Sequence, residues 1–371
     1  MKEEAIYTLA LNSIPGIGNV LLKQLVAYSG SPSEAFKASK KLLTKIPGIG
    51  PSLISSLESE KKDALLRAEK EAEAIEKEGG FMVHYLEQDY PVRLKSIPDA
   101  PPVLFGKGTF HFEAQHTLAI VGTRQATSYG KQAIESFLEE LQPYKPVIVS
   151  GLAYGIDIVA HKTALQMGME TWGVMATGID QIYPSAHKQT AQAMLSNGGI
   201  LTENPLKTKP DAPRFPARNR IIAGLADAIW VVEAMEKGGA LITAHLGSDY
   251  FRDVFALPGN IAQKASSGCN ELIRKNIAGI VLSGSQLAES MGWQLENETG
   301  FRKKRKKERP EGLSDPEIRI LDLMDLNGEI LMDEIAWRTQ IPINQLASML
   351  LNLEFQGLVK SLPGKRFGPM V

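Results

Sequence analysis

The sequence contains a single cysteine, Cys269, in 371 residues. One thiol excludes an internal disulfide framework and any metal site that needs several thiolates. No stretch approaches the roughly 18 consecutive apolar residues that a membrane-spanning helix requires, and the glutamate-containing N-terminus lacks the pattern of a signal peptide. These absences predict a cytoplasmic protein that has no membrane partner.

The sequence also lacks an excess of either charge: the formal net charge is −1. The composition as a whole therefore does not indicate a polyanionic partner. Whole-chain charge is a weak guide, however, because phosphate binding depends on local basic clusters and on backbone amides. One cluster occurs at residues 302–309, where seven basic residues accompany one acid. With 43% hydrophobic and 22% charged residues, a chain of this length is expected to form two or three globular domains.

Residues 1–80 predict a small helical domain built around an internal repeat. The pentapeptide IPGIG occurs at residues 14–18 and again at 46–50, each time between apolar patterns of helical spacing. Proline followed by glycine between helices indicates a turn, and the arrangement looks like the helix-hairpin-helix (SAM-like) pattern. The turn amides of such hairpins can bind a nucleic-acid phosphate. The alternative, that the hairpins only pack the domain, is favoured because acidic and basic residues balance in this region.

Residues 81–299 alternate short apolar runs with helical segments, which is typical of a mostly parallel sheet covered by helices. The predicted strands are 118–121, 147–149, 170–175, 199–201, 229–232, 254–257 and 279–282. Several of them end in glycine or a small polar residue directly before a helix. Because open α/β sheets bind ligands at the carboxyl ends of their strands, we predict an extended Rossmann-like core with its binding site at that edge.

A basic linker, residues 300–312, follows the core. Runs of like charge are usually solvated and irregular. The linker therefore either adds non-specific attraction to a polyanion or serves only as a tether.

Residues 313–371 predict a winged-helix domain. The expected elements are a helix (316–325), a strand (329–331), two helices (333–339 and 343–356) and a hairpin (358–367). Residues 343–357 contain no lysine or arginine, whereas a helix that reads a DNA groove needs basic or amide-rich side chains. We therefore predict a protein-contact or dimer module, in which only Lys360, Lys365 and Arg366 of the wing are available to phosphate.

The strand-to-helix loops of the core carry candidate anion-binding residues. A glycine at a strand end lets helix N-terminal amides face an anion, and arginine forks bind phosphate in a bidentate manner. The candidates are Gly122, Thr123, Arg124, Ser150, Gly151, Lys188, Arg218, Asn219, Arg220, Gly238, Gly239 and Thr243. The prediction requires that Arg124, Arg218 and Arg220 reach one rim and are not neutralised by acidic partners.

The first of these loops differs from the dinucleotide fingerprint G-x-G-x-x-G. Thr123 and Arg124 stand where small residues would admit a pyrophosphate. NAD is therefore disfavoured, and we predict neither a cofactor nor a metal.

The order and length of these motifs resemble the DNA-processing protein A family (DprA, also called Smf). The matching segments are VGTR, SGLAYGIDIVAH, GIDQIYPSAH, ENPL, FPARNRIIAGL, VVEA with GGALITA, VFALPG and GCNELI, over roughly residues 80–295. The N-terminal hairpins and the winged-helix tail also resemble the flanking domains of that family. Two positions depart from its pattern: Thr123 replaces the serine of the GSR motif but keeps a hydroxyl, and Gly238 stands where the family often has serine.

The resemblance implies a core that dimerises, binds single-stranded DNA, protects incoming DNA and loads the RecA recombinase onto it during natural transformation, without catalysing a reaction. Carried over residue by residue, Arg124 matches the arginine of the family's GSR motif. Lys188, Arg218 and Arg220 fall in segments that build its basic pocket.

Two alternatives from other classes stay open at this point. The core also looks like the lysine-decarboxylase-like phosphoribohydrolases, which cleave nucleotide monophosphates, although residues 237–244 lack the closing Gly-Thr-x-x-Glu of their motif. The sequence has no Walker loop, nucleophile elbow or H-E-x-x-H helix that would indicate another enzyme class. The second alternative is a duplex-binding regulator acting through the winged helix, and the absence of basic residues from its last helix argues against it.

Overall fold

The structure, a computed structural model, describes residues 2–294 and 313–370. These residues form two compact units. One comprises residues 73–83 and 89–294, and the other combines residues 2–72 and 84–88 with the C-terminal residues 313–370. The predicted basic linker, residues 300–312, lies outside the described residues.

Five helices precede the sheet. The two IPGIG segments form the turn between the first and second helices and the turn between the fourth and fifth. They are α1 (Lys2–Asn12), α2 (Asn19–Ser29), α3 (Pro32–Lys37), α4 (Lys40–Leu43) and α5 (Pro51–Lys77). In both turns the first glycine is left-handed, with a φ of +90° at Gly16 and +84° at Gly48, which a residue with a Cβ rarely adopts. α2 and α5 begin directly after the second glycine of each repeat, so the two predicted hairpins are confirmed.

Nine strands form one sheet in the order β1-β2-β6-β5-β4-β3-β7-β8-β9. The strands are β1 (Phe81–His84), β2 (Val103–Thr109), β3 (Thr117–Val121), β4 (Val147–Ser150), β5 (Thr171–Val174), β6 (Gly198–Thr202), β7 (Ala228–Val231), β8 (Asp253–Ala256) and β9 (Gly279–Ile280). The seven strands β3 to β9 lie side by side in the sheet, and every neighbouring pair among them is parallel. β2, by contrast, runs antiparallel to β6. The mostly parallel sheet and its seven predicted strands are thus confirmed.

Helices connect the strands and supply the rest of the core. They are α6 (Val92–Lys95), α7 (Ser128–Leu141), α8 (Ile156–Gln166), α9 (Lys188–Met194), α10 (Arg214–Leu225), α11 (Gly239–Asp249), α12 (Lys264–Arg274) and α13 (Gly284–Ser290), with short 3-10 turns at Gln142–Tyr144 and Ser185–His187. All five residues of β3 are buried, and because side chains alternate along a strand, both faces of the sheet are covered there. Phe137 of α7 stacks on Trp230 of β7 with ring centres 4.0 Å apart.

The strand order reverses beside β3. The chain runs from β3 outward through β4, β5 and β6, and then returns to place β7 on the other side of β3. A ligand of an open α/β sheet binds outside the carboxyl ends of the strands at such a switch point. In this sheet β3 ends at Val121 and β7 at Val231, so the segments that follow these two residues define the expected site.

The sequence patterns did not predict β1 and β2, and for β2 its own glycines explain why. Glycine is depleted in strands, yet Gly106 and Gly108 both lie within β2. Gly108 has a φ of +130°, and a Cβ there would lie 2.2 Å from the carbonyl oxygen of Gly198 on β6. The close approach of two backbones requires the residue that weakens the strand signal.

The C-terminal residues fold as a winged helix, as predicted. The elements are α14 (Asp315–Asn327), β10 (Ile330–Leu331), α15 (Met332–Thr339), α16 (Ile343–Phe355), β11 (Val359–Leu362) and β12 (Arg366–Pro369), and the three strands are ordered β10-β12-β11. Leu346, Leu350 and Leu353 of α16 are fully buried, so this helix is held by its apolar face. Of the three wing cations, Arg366 lies 3.5 Å from Glu329.

Within the part of the chain that the structure describes, no helix combines the length and the apolar character that crossing a lipid bilayer requires.

Candidate nucleic-acid interface

A cavity of about 1160 Å³ opens at the switch point between β3 and β7. Its wall is formed by the loop after β3, the first turn of α8, the loop that contains Tyr183, the N-terminal half of α10, and the loop from β7 into α11. The site therefore lies where the topology predicts it.

The loop after β3 is packed against its neighbours, and the amide of Thr123 is bonded within the protein. The Thr123 N–H donates to the carbonyl oxygen of Glu233 at 2.7 Å, and the Thr123 carbonyl accepts from the N–H of Ile156 at 3.1 Å. A Cβ on Gly122 would lie 2.4 Å from Cγ1 of Ile156. Glycine at 122 therefore serves close strand-to-helix packing, unlike the phosphate-binding turn of a dinucleotide-binding fold.

The N-terminus of α11 is open to the cavity. Its N-cap, Gly238, has extended backbone and no side chain to cap the helix. Asn219 Nδ2 and Thr243 Oγ1 both donate to the carbonyl oxygen of Gly239, each at 3.2 Å. Because the first amides of a helix have no acceptor within it, they attract an anion.

Arg124 and two aromatic rings line the same cavity. The Arg124 side chain is exposed, and its guanidinium carbon lies 5.5 Å from the centre of the Phe215 ring. Tyr183 packs against Phe215 with ring centres 5.5 Å apart and an interplanar angle of 47°. Lys237, also exposed, adds a second cation to the wall. Among residues 2–294 and 313–370, neither Arg124 nor Lys237 has an acidic partner.

Arg218 lies at the floor of the cavity and is 5% exposed. Its Nη1 donates to the carbonyl oxygen of Gly151 at 2.8 Å and to that of Val174. Burial lowers the pKa of Arg218 to about 10, and the nearby Asp157 carboxylate opposes that shift. Burial likewise raises the pKa of Asp157, against the effect of Arg218. The floor therefore carries a buried cation whose Nη1 is already bonded to two backbone carbonyls.

Two candidates lie beneath this floor. The Ser150 hydroxyl is fully buried and donates to the carbonyl oxygen of Ile120 at 2.6 Å. The Gly151 N–H donates to Oδ2 of Asp157 at 3.1 Å. Both groups are therefore committed to the protein.

The requirement that all three arginines face one rim free of acids is not met. Arg220 Nη2 is bonded to the Glu203 carboxylate, and its Nε lies 3.9 Å from Oδ2 of Asp99. The side chain is only 13% exposed. Lys188, the first residue of α9, is exposed but lies outside the wall of the cavity. Of the three arginines, Arg124 alone meets the requirement.

Comparisons with known proteins place the chain in a family. The family model described as DNA recombination-mediator protein A matches residues 81–292. The chain belongs to this family. Two further models agree with the flanking folds: the DprA winged helix domain matches residues 304–365, and the SAM-like helix-hairpin-helix tandem matches residues 8–60.

Relatives of the family match this chain over much of its length. A protein Smf of Synechocystis is 33% identical, with 99% of each chain covered. The DNA processing protein DprA of Bacillus subtilis is 41% identical over 52% of this chain and 65% of its own. Among solved structures, DprA of Streptococcus pneumoniae is 30% identical with a TM-score of 0.62, covering 78% of this chain and 98% of that one. DprA of Helicobacter pylori, whose structure is described as showing a unique single-stranded DNA binding mode, is 30% identical with a TM-score of 0.52, covering 57% and 95%.

The structure brings together most of the residues that the sequence singled out. Those that line the cavity are Gly122, Thr123, Arg124, Arg218, Asn219, Gly238, Gly239 and Thr243, and those that do not are Ser150, Gly151, Lys188 and Arg220. The sequence motifs did not single out Tyr183, Phe215 or Lys237 as contacts. An aromatic residue at the head of an arginine-rich helix, as in residues 214–220, is the signal that could have identified Phe215.

Within the described residues, no group of histidine, cysteine, aspartate and glutamate side chains could hold a metal ion. Beside the carboxyl side chains of Asp211 and Glu236, the wall of the cavity offers cations, helix amides and aromatic rings. The cations and amides suit phosphates, and the rings suit bases.

Proposed function

We propose that this chain binds single-stranded DNA in the cavity between β3 and β7, with little sequence preference. The observation that carries the proposal is that an unpaired guanidinium, Arg124, shares one cavity with the uncapped N-terminus of α11. Both attract phosphate. The likeness to a relative described as a single-stranded DNA binder supports the same substrate.

The aromatic pair supports a single strand over a duplex. Bases of an unpaired strand stack on aromatic side chains whatever their identity, because every base has a π-face. Phe215 and Tyr183 supply such a surface beside Arg124. In a duplex the bases are already paired and stacked, so these rings would have no partner.

The role in the cell that follows is delivery of the strand and not its chemical change. In this proposal the chain protects incoming DNA in the cytoplasm and loads RecA onto it during natural transformation. A homodimer formed through the Rossmann-like unit would place two sites on one strand and raise the avidity of the complex. The matches to DNA-processing proteins do not favour the phosphoribohydrolase alternative.

The test is a titration of labelled oligo-dT and of a duplex of the same length against the full chain. Arg124→Ala is expected to weaken single-strand binding roughly tenfold and to lower the slope of log K against log salt concentration by about 0.7, as expected for one lost phosphate contact. Arg274→Ala, at an exposed arginine outside the cavity, is the matched control. Equal affinity for both DNAs, or an unchanged Arg124→Ala variant, would contradict the proposal.

A further inference from the structure

Arg220 lies in a shell of acidic and phenolic groups contributed by three separate segments. Glu203 directly follows β6 and is bonded to Nη2, and Asp99 follows α6. Asp99 Oδ1 also accepts from the hydroxyl of Tyr250, the C-cap of α11, at 2.7 Å. Asp99 therefore ties the helix that carries Arg220 to the end of α11.

Three consecutive side chains of α10 contact three different parts of the sheet unit. Arg218 donates hydrogen bonds to the carbonyl oxygens of Gly151 and Val174, at the carboxyl ends of β4 and β5. Asn219 donates a hydrogen bond to the first residue of α11. Arg220 forms ion pairs with Glu203 in the loop after β6 and with Asp99 in the segment after α6. Residues on a helix are 100° apart, so one turn can reach all three.

The same loop after β6 receives a second contact from α10. Nη1 of Arg214 donates to Oδ1 of Asn204 at 3.0 Å, next to the Glu203 contact. α10 and α11 both line the cavity with their N-terminal residues. A shift of either helix would move Phe215 or the amides of α11.

We propose that Arg220 is a positioning residue that sets the wall of the cavity through Glu203 and Asp99 without contacting the DNA phosphate. This inference rests on the proposed function. Nη1 of Arg220 has no hydrogen-bond partner within the described residues, but it is buried. Arg220 is also not among the residues that line the cavity, so its guanidinium is not exposed there.

Glu203 gives the decisive test, because the two roles of Arg220 predict opposite signs. If Arg220 positions the wall, Glu203→Gln loosens α10 and weakens oligo-dT binding. If Arg220 contacts phosphate, the same substitution frees its guanidinium and strengthens binding. Arg220→Ala is expected to weaken binding roughly tenfold, since small misplacements of a site are costly, with an unchanged salt slope. A slope that falls by about 0.7, stronger binding by Glu203→Gln, or no loss in Arg220→Ala would each overturn the inference.

A rescue experiment covers variants that fold poorly. A buried ion pair can often be replaced by packed apolar residues without loss of stability, so Arg220→Leu combined with Glu203→Leu is expected to regain melting temperature and oligo-dT affinity relative to Arg220→Leu alone. A phosphate contact could not be regained in this way, so failure of affinity to recover in a double variant with restored melting temperature counts against positioning. Arg124→Ala in the same series separates the two proposals. If Arg124→Ala leaves oligo-dT affinity unchanged, the proposed function fails. The direction in which Glu203→Gln changes affinity tests only the role of Arg220.

Discussion

Asn219 and Gly239 are joined by a hydrogen bond of 3.2 Å from Nδ2 to the carbonyl oxygen. The bond fixes the first turn of α11 against α10, and the open N–H groups of that turn belong to the wall of the cavity. No side chain competes for them, because the N-cap is Gly238. A Cβ at this position would meet no atom within 4 Å, so the position accepts substitution.

Gly238→Asp is therefore expected to change stability and binding in opposite directions. A carboxylate at the N-cap accepts from the free amides and stabilises the helix by roughly 0.5 kcal/mol. The same carboxylate occupies the amides and repels phosphate, so oligo-dT affinity should fall roughly tenfold. Melting temperature and a binding titration measure the two effects, with Gly238→Ser as the uncharged control. Undiminished affinity in Gly238→Asp would show that α11 does not meet the phosphate.

Gly122→Ala tests the packing of the loop after β3. The added methyl would lie 2.4 Å from Ile156 Cγ1 and 2.9 Å from the carbonyl oxygen of Glu233. Overpacking of this kind typically costs about 1–3 kcal/mol, so the midpoint of urea unfolding should fall. Gly238→Ala, at the open position, should lower the midpoint less, because its methyl meets no neighbouring atom and only the weaker N-cap preference of alanine counts against it. Equal midpoints for the two alanine variants would mean that the loop moves aside freely.

His161 predicts a dependence of stability on pH. Burial, together with the charges of Arg218 and His187, lowers the pKa of His161 to about 3, whereas an unfolded histidine titrates near 6.5. Between these values the unfolded chain binds the extra proton, so stability rises with pH from 3 to 6.5 and this contribution is constant above that window.

Replacing His161 removes its pH-dependent contribution to the free energy of unfolding. In His161→Gln the slope of unfolding free energy against pH should fall by up to about 1.36 kcal/mol per pH unit within the window. His245→Gln, at an exposed histidine, is the control and should keep the slope. An unaltered slope in His161→Gln would contradict a buried neutral imidazole.

The sheet was predictable because burial on both faces gives continuous apolar runs, as in β3 and β7. β2 was not, since the glycines that let it approach Gly198 weaken the strand signal. The strand-end glycines likewise located the cavity, but for a different reason from the one predicted: Gly122 serves packing against Ile156, and the open amides belong to α11.

The direction of each arginine could not be read from the sequence. Arg218 and Arg220 are two residues apart, which turns their side chains by about 200° on a helix. The acid that neutralises Arg220 lies 17 residues away in the chain, and Asp99 comes from a different segment altogether. Only the tertiary fold brings these acids to the guanidinium, so spacing alone cannot separate a phosphate ligand from a structural ion pair.

Phe215→Ala separates stacking from charge at the site. Stacking of a base on an aromatic side chain contributes about 1–3 kcal/mol, so the loss of this ring should weaken oligo-dT binding between roughly fivefold and 150-fold while the salt slope stays constant. Phe215→Trp should keep most of the affinity, because it retains a π-face. Phe251→Ala, at a phenylalanine that is 94% exposed outside the cavity, controls for the loss of any surface ring. If Phe215→Ala binds as tightly as Phe251→Ala, the bases do not stack here, and Arg124 and the α11 amides would have to hold the strand by its phosphates alone.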